Sequence, residues 1–302
     1  MKHFLEISQL LPQQIFSLLD RALYLKKTGK FPSLSEYTVA NLFYENSTRT
    51  RVSFELAAKR LAMSVVNLDL QNSSETKGEV IEDTINNLAA MGINLFVIRH
   101  SQDGMQNRLA DKLGANIHIV NAGDGQHAHP SQALLDFMTI SEQKPDFSQL
   151  KIAIIGNIRH SRVANSLQCL CAAVKVGKLS LVAPQIWQPE KIHYGEQTDS
   201  LLEGLADADV VICLRVQHER LEENEQMDLQ IYRQQFALTQ DRIKHAKPDA
   251  MVMHPGPMNR GVEIDCLVAD GPQSYILQQV RNGVFMRMAI LESLISQENR
   301  DY

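Results

Sequence analysis

Short apolar runs alternate with longer amphipathic segments along this chain, and the alternation occurs in two successive series. Such runs are typical of strands buried on both faces, and the segments between them carry apolar residues at helical spacing. The predicted strands are 39–43, 64–70, 94–99 and 115–120 in the first series, and 150–155, 179–183, 209–214 and 250–253 in the second. Strand alternating with helix predicts an α/β fold, here with two doubly wound parallel-sheet domains.

The chain length and the break between the two series set the predicted domain boundaries. A chain of 302 residues is long enough to give each of two domains its own core. We expect the first domain at residues 1–133 and the second at residues 134–282, joined by the helix that follows Gln132. Apolar residues at helical spacing predict a last helix over 272–296.

The charge balance excludes a surface that coats nucleic acid. The 30 Lys and Arg residues and 35 Asp and Glu residues give a formal net charge of −5, whereas such surfaces are strongly basic. Polar residues such as Glu6, Gln9 and Asp20 interrupt the apolar positions near the N-terminus, which is typical of neither a signal peptide nor a membrane span. We therefore expect a cytoplasmic protein that binds neither nucleic acid nor membrane.

The four cysteines carry no metal-site pattern. Cys169, Cys171, Cys213 and Cys266 lie in apolar or strand-like settings, without a CxxC pair or the spacing of metal ligands. The sequence therefore predicts buried, reduced thiols and no metal.

The segment 41–55 combines a strand end, hydroxyl groups and arginines at the start of a predicted helix. Backbone N–H groups at a helix N-terminus lack intrahelical partners and the helix dipole is positive there, which favours a phosphate. The side chains that add to this site are Ser47, Thr48, Arg49, Thr50 and Arg51. Because guanidinium groups bind phosphate through paired hydrogen bonds, the segment predicts an oxyanion site.

Polar and basic side chains follow the other predicted strands as well. Open parallel sheets bind ligands beyond the carboxyl ends of their strands, so these positions are the informative ones. They are residues 47–50, 77, 99–100 and 127–132 in the first series and 157–162, 215–217 and 254–257 in the second. Basic and amide groups thus gather at strand ends in a chain that is acidic as a whole, which points to an anionic small molecule.

Each candidate also has a plain structural explanation when it is taken alone. Ser and Thr are common helix caps, and a strand-end arginine such as Arg99 is often a surface salt-bridge partner. Lys77 could be a solvated loop lysine, and Arg162 an arginine that faces water at a helix start. His129, which Pro130 follows, could mark a rigid helix start. Their occurrence together at matching strand ends favours a shared ligand.

Six separated motifs make the chain similar to the aspartate and ornithine carbamoyltransferases over nearly its whole length. The motifs are Ser47-Thr48-Arg49-Thr50, the loop 73–77, Arg99-His100, His129-Pro130-Ser131-Gln132, Arg215-Val216-Gln217, and residues 254–261 (HPGPMNRG). The resemblance implies a first domain that binds carbamoyl phosphate and a second that binds aspartate. It also implies that a C-terminal helix of about 283–302 packs back on the first domain.

The resemblance further implies a role for each motif residue. Those implied to hold carbamoyl phosphate are Ser47, Thr48, Arg49, Thr50, Arg99, His129 and Gln132, with the backbone of Gly256 and Pro257. Those implied to be catalytic are Arg49, Thr50, Arg99 and His129, and those implied to hold L-aspartate are Lys77, Arg162, Arg215 and Gln217. In the family, residues matching Ser73 and Lys77 reach into the adjacent subunit's active site, which implies a homotrimer. Regulatory chains or another pathway enzyme stay open as partners.

The implied reaction carries the carbamoyl group to the amino group of L-aspartate, an early step of pyrimidine biosynthesis, and needs no cofactor. Carbamoyl phosphate is already activated, so the protein has to position the amine, stabilise the oxyanion and neutralise the departing phosphate. Because both substrates are expected to bridge the two domains, we expect closure on binding.

Two features favour aspartate over ornithine. Lys77, Arg162 and Arg215 offer three cations to a dicarboxylate, whereas the cationic side chain of ornithine calls for acidic partners. In addition, residues 254–257 read HPGP, where an ornithine carbamoyltransferase is expected to show His-Cys-Leu-Pro.

Two other functions stay open at this point. A catalytically silent relative would act as an assembly or regulatory partner. Such a protein is expected to lose side chains implied to hold carbamoyl phosphate, and these are all present here. A nucleotide-binding dehydrogenase shares the sheet topology, but this chain lacks a GxGxxG turn after the first strand of either series.

Overall fold

A computed structural model describes residues 1–68, 79–216 and 226–295 of the chain. Its contacts divide the chain into two compact units. The first comprises Met1–Leu135 with the residues from Val280 onward, and the second comprises Asp136–Gln279. Each unit is built on one sheet whose strand pairs are all parallel. The predicted fold class is confirmed.

The first unit contains a four-stranded sheet. Its strands are β1 (Thr38–Phe43), β2 (Ser64–Asn67), β3 (Leu95–His100) and β4 (His118–Asp124), and its helices are α1 (Pro12–Thr28), α2 (Thr48–Arg60), α3 (Ile81–Ala90) and α4 (Met105–Lys112). The strand order is β2-β1-β3-β4. After β1 the chain adds β2 on one side of β1, and after β2 it crosses to add β3 on the other side. Open α/β sheets bind ligands at such a switch point.

Apolar residues bury the central strands of this sheet on both faces. Ala40 in β1 and Phe96 in β3 lie on one face of the sheet, where Leu109 of α4 packs, and Val39 and Leu95 lie on the other. These four strand residues have no accessible surface. Each large apolar side chain contributes about 1.5–3 kcal/mol relative to an exposed one. The strand ends that carry polar side chains are thus anchored in a rigid core.

The fourth strand differs from its prediction. The sequence predicts a strand over 115–120 and a turn over 121–125, but β4 continues to Asp124. The N-terminal segment explains the difference, because Phe4 forms a parallel bridge with Val120. The Asn121 amide donates to the Leu5 carbonyl at 2.9 Å, and its oxygen accepts the N–H two residues later at 2.7 Å. These buried bonds hold an extended backbone where Asn and Gly usually favour a turn.

The second unit contains a five-stranded sheet. Its strands are β5 (Lys151–Ile155), β6 (Lys178–Val182), β7 (Glu196–Thr198), β8 (Val210–Cys213) and β9 (Met251–Met253). Helix α5 (Pro130–Ser141) begins in the first unit and ends in the second, which then contains α6 (Arg162–Ala173), α7 (Leu201–Leu205), α8 (Leu229–Phe236) and α9 (Cys266–Ala269). Helix α10 (Ile276–Ile295) begins in the second unit and belongs to the first from Val280 onward. The strand order β7-β6-β5-β8-β9 places the switch point between β5 and β8.

A glycine allows the closest approach at this second switch point. Gly156, directly after β5, has φ 137°, and a Cβ there would lie 2.9 Å from Leu214 Cβ. A side chain at this position would therefore separate the ends of β5 and β8.

The cysteine prediction is only partly correct. All four cysteines are free thiols, and Cys171 and Cys213 are buried. Cys169 is half-buried, however, and Cys266 is exposed because it begins the short surface helix α9. None of the helices in the described ranges is long and apolar enough to cross a membrane.

Candidate active site

The turn after β1 leads directly into the first turn of α2. Ser47 is the N-cap residue, with φ −157° and ψ 89°, and in this described part of the chain its side chain makes no capping hydrogen bond. Thr50 is 7% exposed, whereas Thr48 and Arg49 are exposed. The helix-cap explanation therefore fails for Ser47, whose hydroxyl can turn towards an anion bound at the helix N-terminus.

Arg99 lies near the carboxyl end of β3, as the register partner of Phe43 in β1. Its Nη1 donates to the Ala122 carbonyl at 3.3 Å, and its Nε lies 3.2 Å from Glu45 Oε2. The two charged side chains are 11% and 19% exposed, so solvent screens their attraction only weakly. Arg99 is a positioned, nearly buried cation, which excludes the surface salt-bridge explanation.

His129 and Gln132 lie at the start of α5, just after the end of β4. They are 5% and 8% exposed, and the Gln132 N–H donates to the His129 carbonyl at 3.1 Å. Because β1, β3 and β4 are neighbours in one parallel sheet, their carboxyl ends lie along the same edge. The structure thus gathers the phosphate turn, Arg99 and His129 at one edge of the first unit.

Asp124 organises the loop between β4 and α5. Its carboxylate accepts the N–H groups of Ala128 and Gly104 at 2.8 and 2.9 Å and lies 3.0 Å from His127 Nδ1. Burial acts to raise the pKa of Asp124, but these hydrogen bonds together hold the pKa below its ordinary value. The bond to Asp124 in turn raises the pKa of His127, against the opposing effect of burial. This ion pair fixes the loop that carries His129.

The loop after β5 places Arg162 at the first position of α6. Ser161 caps the helix by accepting the backbone N–H three residues later at 3.1 Å. Asn157 Oδ1 accepts the His160 N–H at 3.2 Å, which closes the loop. Arg162 is 6% exposed, whereas Arg159 is exposed. A buried guanidinium at the switch point favours Arg162 as the ligand residue.

The ends of β8 and β9 are tied together in the same unit. Arg215, two residues after β8, is half-buried, and the Val216 carbonyl that follows accepts the Asn259 side-chain amide at 3.0 Å. Gly256 and Pro257 follow β9 and are joined by a cis peptide bond. These two residues therefore belong to the second unit, as Arg162 and Arg215 do.

Three acidic residues near the site were not singled out from the sequence. Glu45 pairs with Arg99, Asp124 holds the loop before α5, and Glu263 accepts hydrogen bonds near the turn after β9. For two of them, position in the sequence was the signal that could have identified them. Glu45 stands two residues before Ser47, and Glu263 is the only charged residue between Gly261 and Ile264.

Three predicted site residues, Ser73, Lys77 and Gln217, lie outside the described residues. Within the part of the chain that is described, no group of three or more His, Cys, Asp or Glu side chains is placed to hold a metal ion. The residues that are described offer hydroxyl, amide, imidazole and guanidinium donors, which suit an anionic ligand.

Two family models together match almost the whole chain. The model for the aspartate/ornithine carbamoyltransferase carbamoyl-P binding domain matches residues 2–142, and the model for the Asp/Orn binding domain matches residues 148–294. The chain belongs to the aspartate/ornithine carbamoyltransferase family. Membership of this carbamoyltransferase family overturns the dehydrogenase alternative.

Individual members of the carbamoyltransferase family resemble the chain over nearly its full length. The aspartate carbamoyltransferase catalytic subunit of Legionella pneumophila (strain Corby) is 69% identical, over 98% of this chain and 99% of its own. Aspartate transcarbamoylase from Trypanosoma cruzi, solved with carbamoyl phosphate and aspartate, is 30% identical with a TM-score of 0.87, over 97% and 96% of the two chains. Ornithine carbamoyltransferase from Pyrococcus furiosus is 28% identical with a TM-score of 0.87, over 98% and 97%. The carbamoyltransferase fold alone therefore does not separate the two amino-acid substrates.

Proposed function

We propose that this chain transfers the carbamoyl group of carbamoyl phosphate to the amino group of L-aspartate, giving N-carbamoyl-L-aspartate and phosphate. The observation that carries the proposal is the sheet edge in the first unit, where hydroxyl, guanidinium and imidazole donors follow three neighbouring strands. The 69% identity to the Legionella catalytic subunit supports aspartate as the acceptor. The reaction is an early step of de novo pyrimidine biosynthesis.

The first unit is the carbamoyl phosphate-binding domain. Its phosphate ligands are the side chains and backbone N–H groups at the start of α2: Ser47, Thr48, Arg49 and Thr50. The helix dipole of this 13-residue helix and the Arg49 guanidinium both favour a dianion there. Gln132, in the first turn of α5, completes the binding of carbamoyl phosphate.

The carbonyl oxygen of the carbamoyl group accepts hydrogen bonds from Thr50, Arg99 and His129. Attack by the amine forms a C–N bond and turns this oxygen into an oxyanion, after which the C–O bond to phosphate breaks. A well-placed oxyanion donor is worth about 2.7–4 kcal/mol in an acyl-transfer reaction. Burial of Arg99 and His129 keeps these donors fixed before the reaction starts.

The amine must lose a proton for this attack. We assign the proton to the departing phosphate, which lies next to the nitrogen and gains basicity as the C–O bond breaks. His129 acts as a hydrogen-bond donor in this scheme and not as the base.

The second unit is the aspartate-binding domain. Arg162 and Arg215 pair with the carboxylates of L-aspartate, together with Lys77 and Gln217. The buried Arg162 and the half-buried Arg215 favour a dicarboxylate, because their guanidinium groups would repel an ammonium group such as that of ornithine. Backbone groups of Gly256 and Pro257 contact carbamoyl phosphate from this domain.

The enzyme acts as a homotrimer in the cytoplasm. Ser73 and Lys77 complete the active site of the adjacent subunit, as the family resemblance implies. The four free thiols fit a reducing compartment. Light scattering on the purified protein tests the assembly. A homotrimer should have three times the 34.0 kDa mass of one chain.

The substrate assignment is tested by a competition between amino acids. The purified chain is given carbamoyl phosphate with equal concentrations of L-aspartate and L-ornithine, and both products are quantified by mass spectrometry. We expect N-carbamoyl-L-aspartate alone. Citrulline as the main product would mean that the cation argument misassigns the second pocket, and neither product would favour the silent-relative alternative.

A further inference from the structure

We propose that Arg287 is a positioning residue for the carbamoyl phosphate site. The inference rests on the proposed function, because it concerns the same site. Arg287 lies on α10 and is only 4% exposed, so its charge is almost completely enclosed within the first unit. A buried guanidinium is costly unless the groups around it are arranged to stabilise it. Its contacts include residues of α2 and α5, the two helices whose first turns supply the proposed phosphate donors.

One side of the Arg287 guanidinium contacts α2. Its Cζ lies 4.9 Å from the ring centroid of Phe54, which is a cation–π contact with a side chain that has no accessible surface. Phe54 lies one helical turn after Thr50. Cation–π contacts are strongest when they are desolvated, so the Arg287 guanidinium holds α2 in position just behind its phosphate-binding turn.

The Arg287 guanidinium also contacts α5. Arg287 Nη2 donates to Ser131 Oγ at 3.4 Å, and Ser131 is fully buried. Ser131 stands between His129 and Gln132, the two residues of this turn that the proposed function places on carbamoyl phosphate. A planar guanidinium thus contacts the second turn of α2 and the first turn of α5 at once, and the relative position of the two donor sets depends on it.

Gly283 makes room for this arrangement. Arg287 Nη1 donates to the Gly283 carbonyl at 3.2 Å, one turn earlier in α10. A Cβ on Gly283 would lie 2.6 Å from Arg287 Nη1 and 3.3 Å from Leu135 Cδ2. Because the nearest atom is the end of a flexible side chain, Gly283→Ala is expected to displace the guanidinium and leave the helix backbone in place.

These contacts supply two independent ways to disturb Arg287. Arg287→Met removes the charge and the planar donors but keeps an unbranched side chain about as long as the aliphatic part of arginine. Gly283→Ala keeps the arginine and moves it, and alanine has a higher helix propensity than glycine. A loss of phosphate affinity in Gly283→Ala therefore cannot be ascribed to a weakened α10. Arg281→Met is the matched control, because Arg281 is an exposed arginine on the same helix.

The experiment measures the dissociation constant for inorganic phosphate by titration calorimetry, and the KM values for both substrates, on full-length variants. We expect about tenfold weaker phosphate binding and a matching rise in the carbamoyl phosphate KM for Arg287→Met and Gly283→Ala. Arg281→Met should stay within about twofold of the wild type. The phosphate affinity of Arg287→Lys should lie between those of the wild type and Arg287→Met, because an ammonium keeps the charge but not the planar contact with Phe54.

Phosphate affinity within about twofold of the wild type in folded Arg287→Met or Gly283→Ala overturns the inference. If Arg287→Met does not fold, the phosphate affinity of Gly283→Ala tests the inference instead. The proposed function is tested separately, by measuring carbamoyl transfer in the wild type and its loss in Arg49→Ala. A wild type that transfers, with Arg287 variants that bind phosphate normally, removes the Arg287 inference alone. A wild type that neither transfers nor binds phosphate removes both.

Discussion

His254 Nε2 lies 3.1 Å from Glu263 Oε1, and both side chains are fully enclosed in the second unit. His254 Nδ1 accepts the Gly256 N–H at 2.8 Å, so the ring proton lies on Nε2 and is donated to Glu263. Glu263 Oε1 also accepts the Asn259 N–H at 2.6 Å. The two side chains thus hold the turn that contains Gly256 and Pro257 from both ends.

Replacement of Glu263 by alanine should destabilise the protein strongly. It would leave the His254 ring N–H and the Asn259 backbone N–H without acceptors in the core, at about 1–3 kcal/mol each. We expect the free energy of unfolding, measured by chemical denaturation, to fall by about 2–6 kcal/mol. Glu263→Gln keeps an acceptor and should lose less, and Glu190→Ala, an exposed acid in the same unit, is the control. A Glu263→Ala protein as stable as the control would contradict this account of the turn.

The choice of Arg162 over Arg159 gives a second prediction. Arg162→Ala should raise the KM for L-aspartate by at least about tenfold, because a buried charged hydrogen bond to a carboxylate is lost. The KM for carbamoyl phosphate should change far less. Arg159→Ala is a matched control, since it removes an exposed arginine from the same loop. The assignment would be reversed if Arg159→Ala raised the aspartate KM and Arg162→Ala did not.

The His127 and Asp124 pair predicts a pH-dependent stability. Because the folded state raises the pKa of His127 above 6.5, its contribution is fully present below pH 6.5 and is lost as the pH rises through the folded-state pKa. His127→Gln should therefore lower the free energy of unfolding more at about pH 5.5 than at about pH 9. The side chain is 38% exposed, so screening keeps the difference below about 1 kcal/mol. A loss of stability that is the same at both pH values would argue against the pair.

Most of the first unit follows from local sequence patterns. An apolar run and a helical pattern are both local signals, so the strands and helices can be predicted from the sequence. The positions of the basic and amide groups at the strand ends follow from those elements. Arg99 and His129 lie near the ends of strands for this reason. The burial of Arg99 was not predictable, because it depends on Glu45 and on the Ala122 carbonyl of a neighbouring strand.

Features set by distant parts of the chain were the ones that sequence reasoning missed. The extension of β4 depends on bonds from Asn121 to the N-terminal segment, over more than one hundred residues of separation. The contacts of Arg287 with Phe54 and Ser131 also join segments far apart in sequence. A sequence pattern shows amphipathic faces but not which residues of two faces meet, so such contacts require the structure.

The shared active site of the proposed trimer predicts complementation between inactive variants. Arg49→Ala and Lys77→Ala should each be inactive, since they remove residues proposed to act in one composite site. When the two are dissociated, mixed and reassembled, some sites in the hybrid trimers should have both residues intact. We expect the mixture to regain part of the wild-type rate in the transfer assay. A mixture that stays inactive after verified subunit exchange would count against sites shared between subunits.

The most direct measurement is the steady-state rate of N-carbamoyl-L-aspartate formation by the wild type and by Arg49→Ala. Lys59→Ala is the control, because it removes one positive charge from the far end of the same helix. We predict turnover in the wild type and the control, and a rate at least about 100-fold lower in Arg49→Ala. Undiminished turnover in Arg49→Ala would contradict the placement of carbamoyl phosphate at the start of α2, and no turnover in the wild type would contradict the proposed function itself.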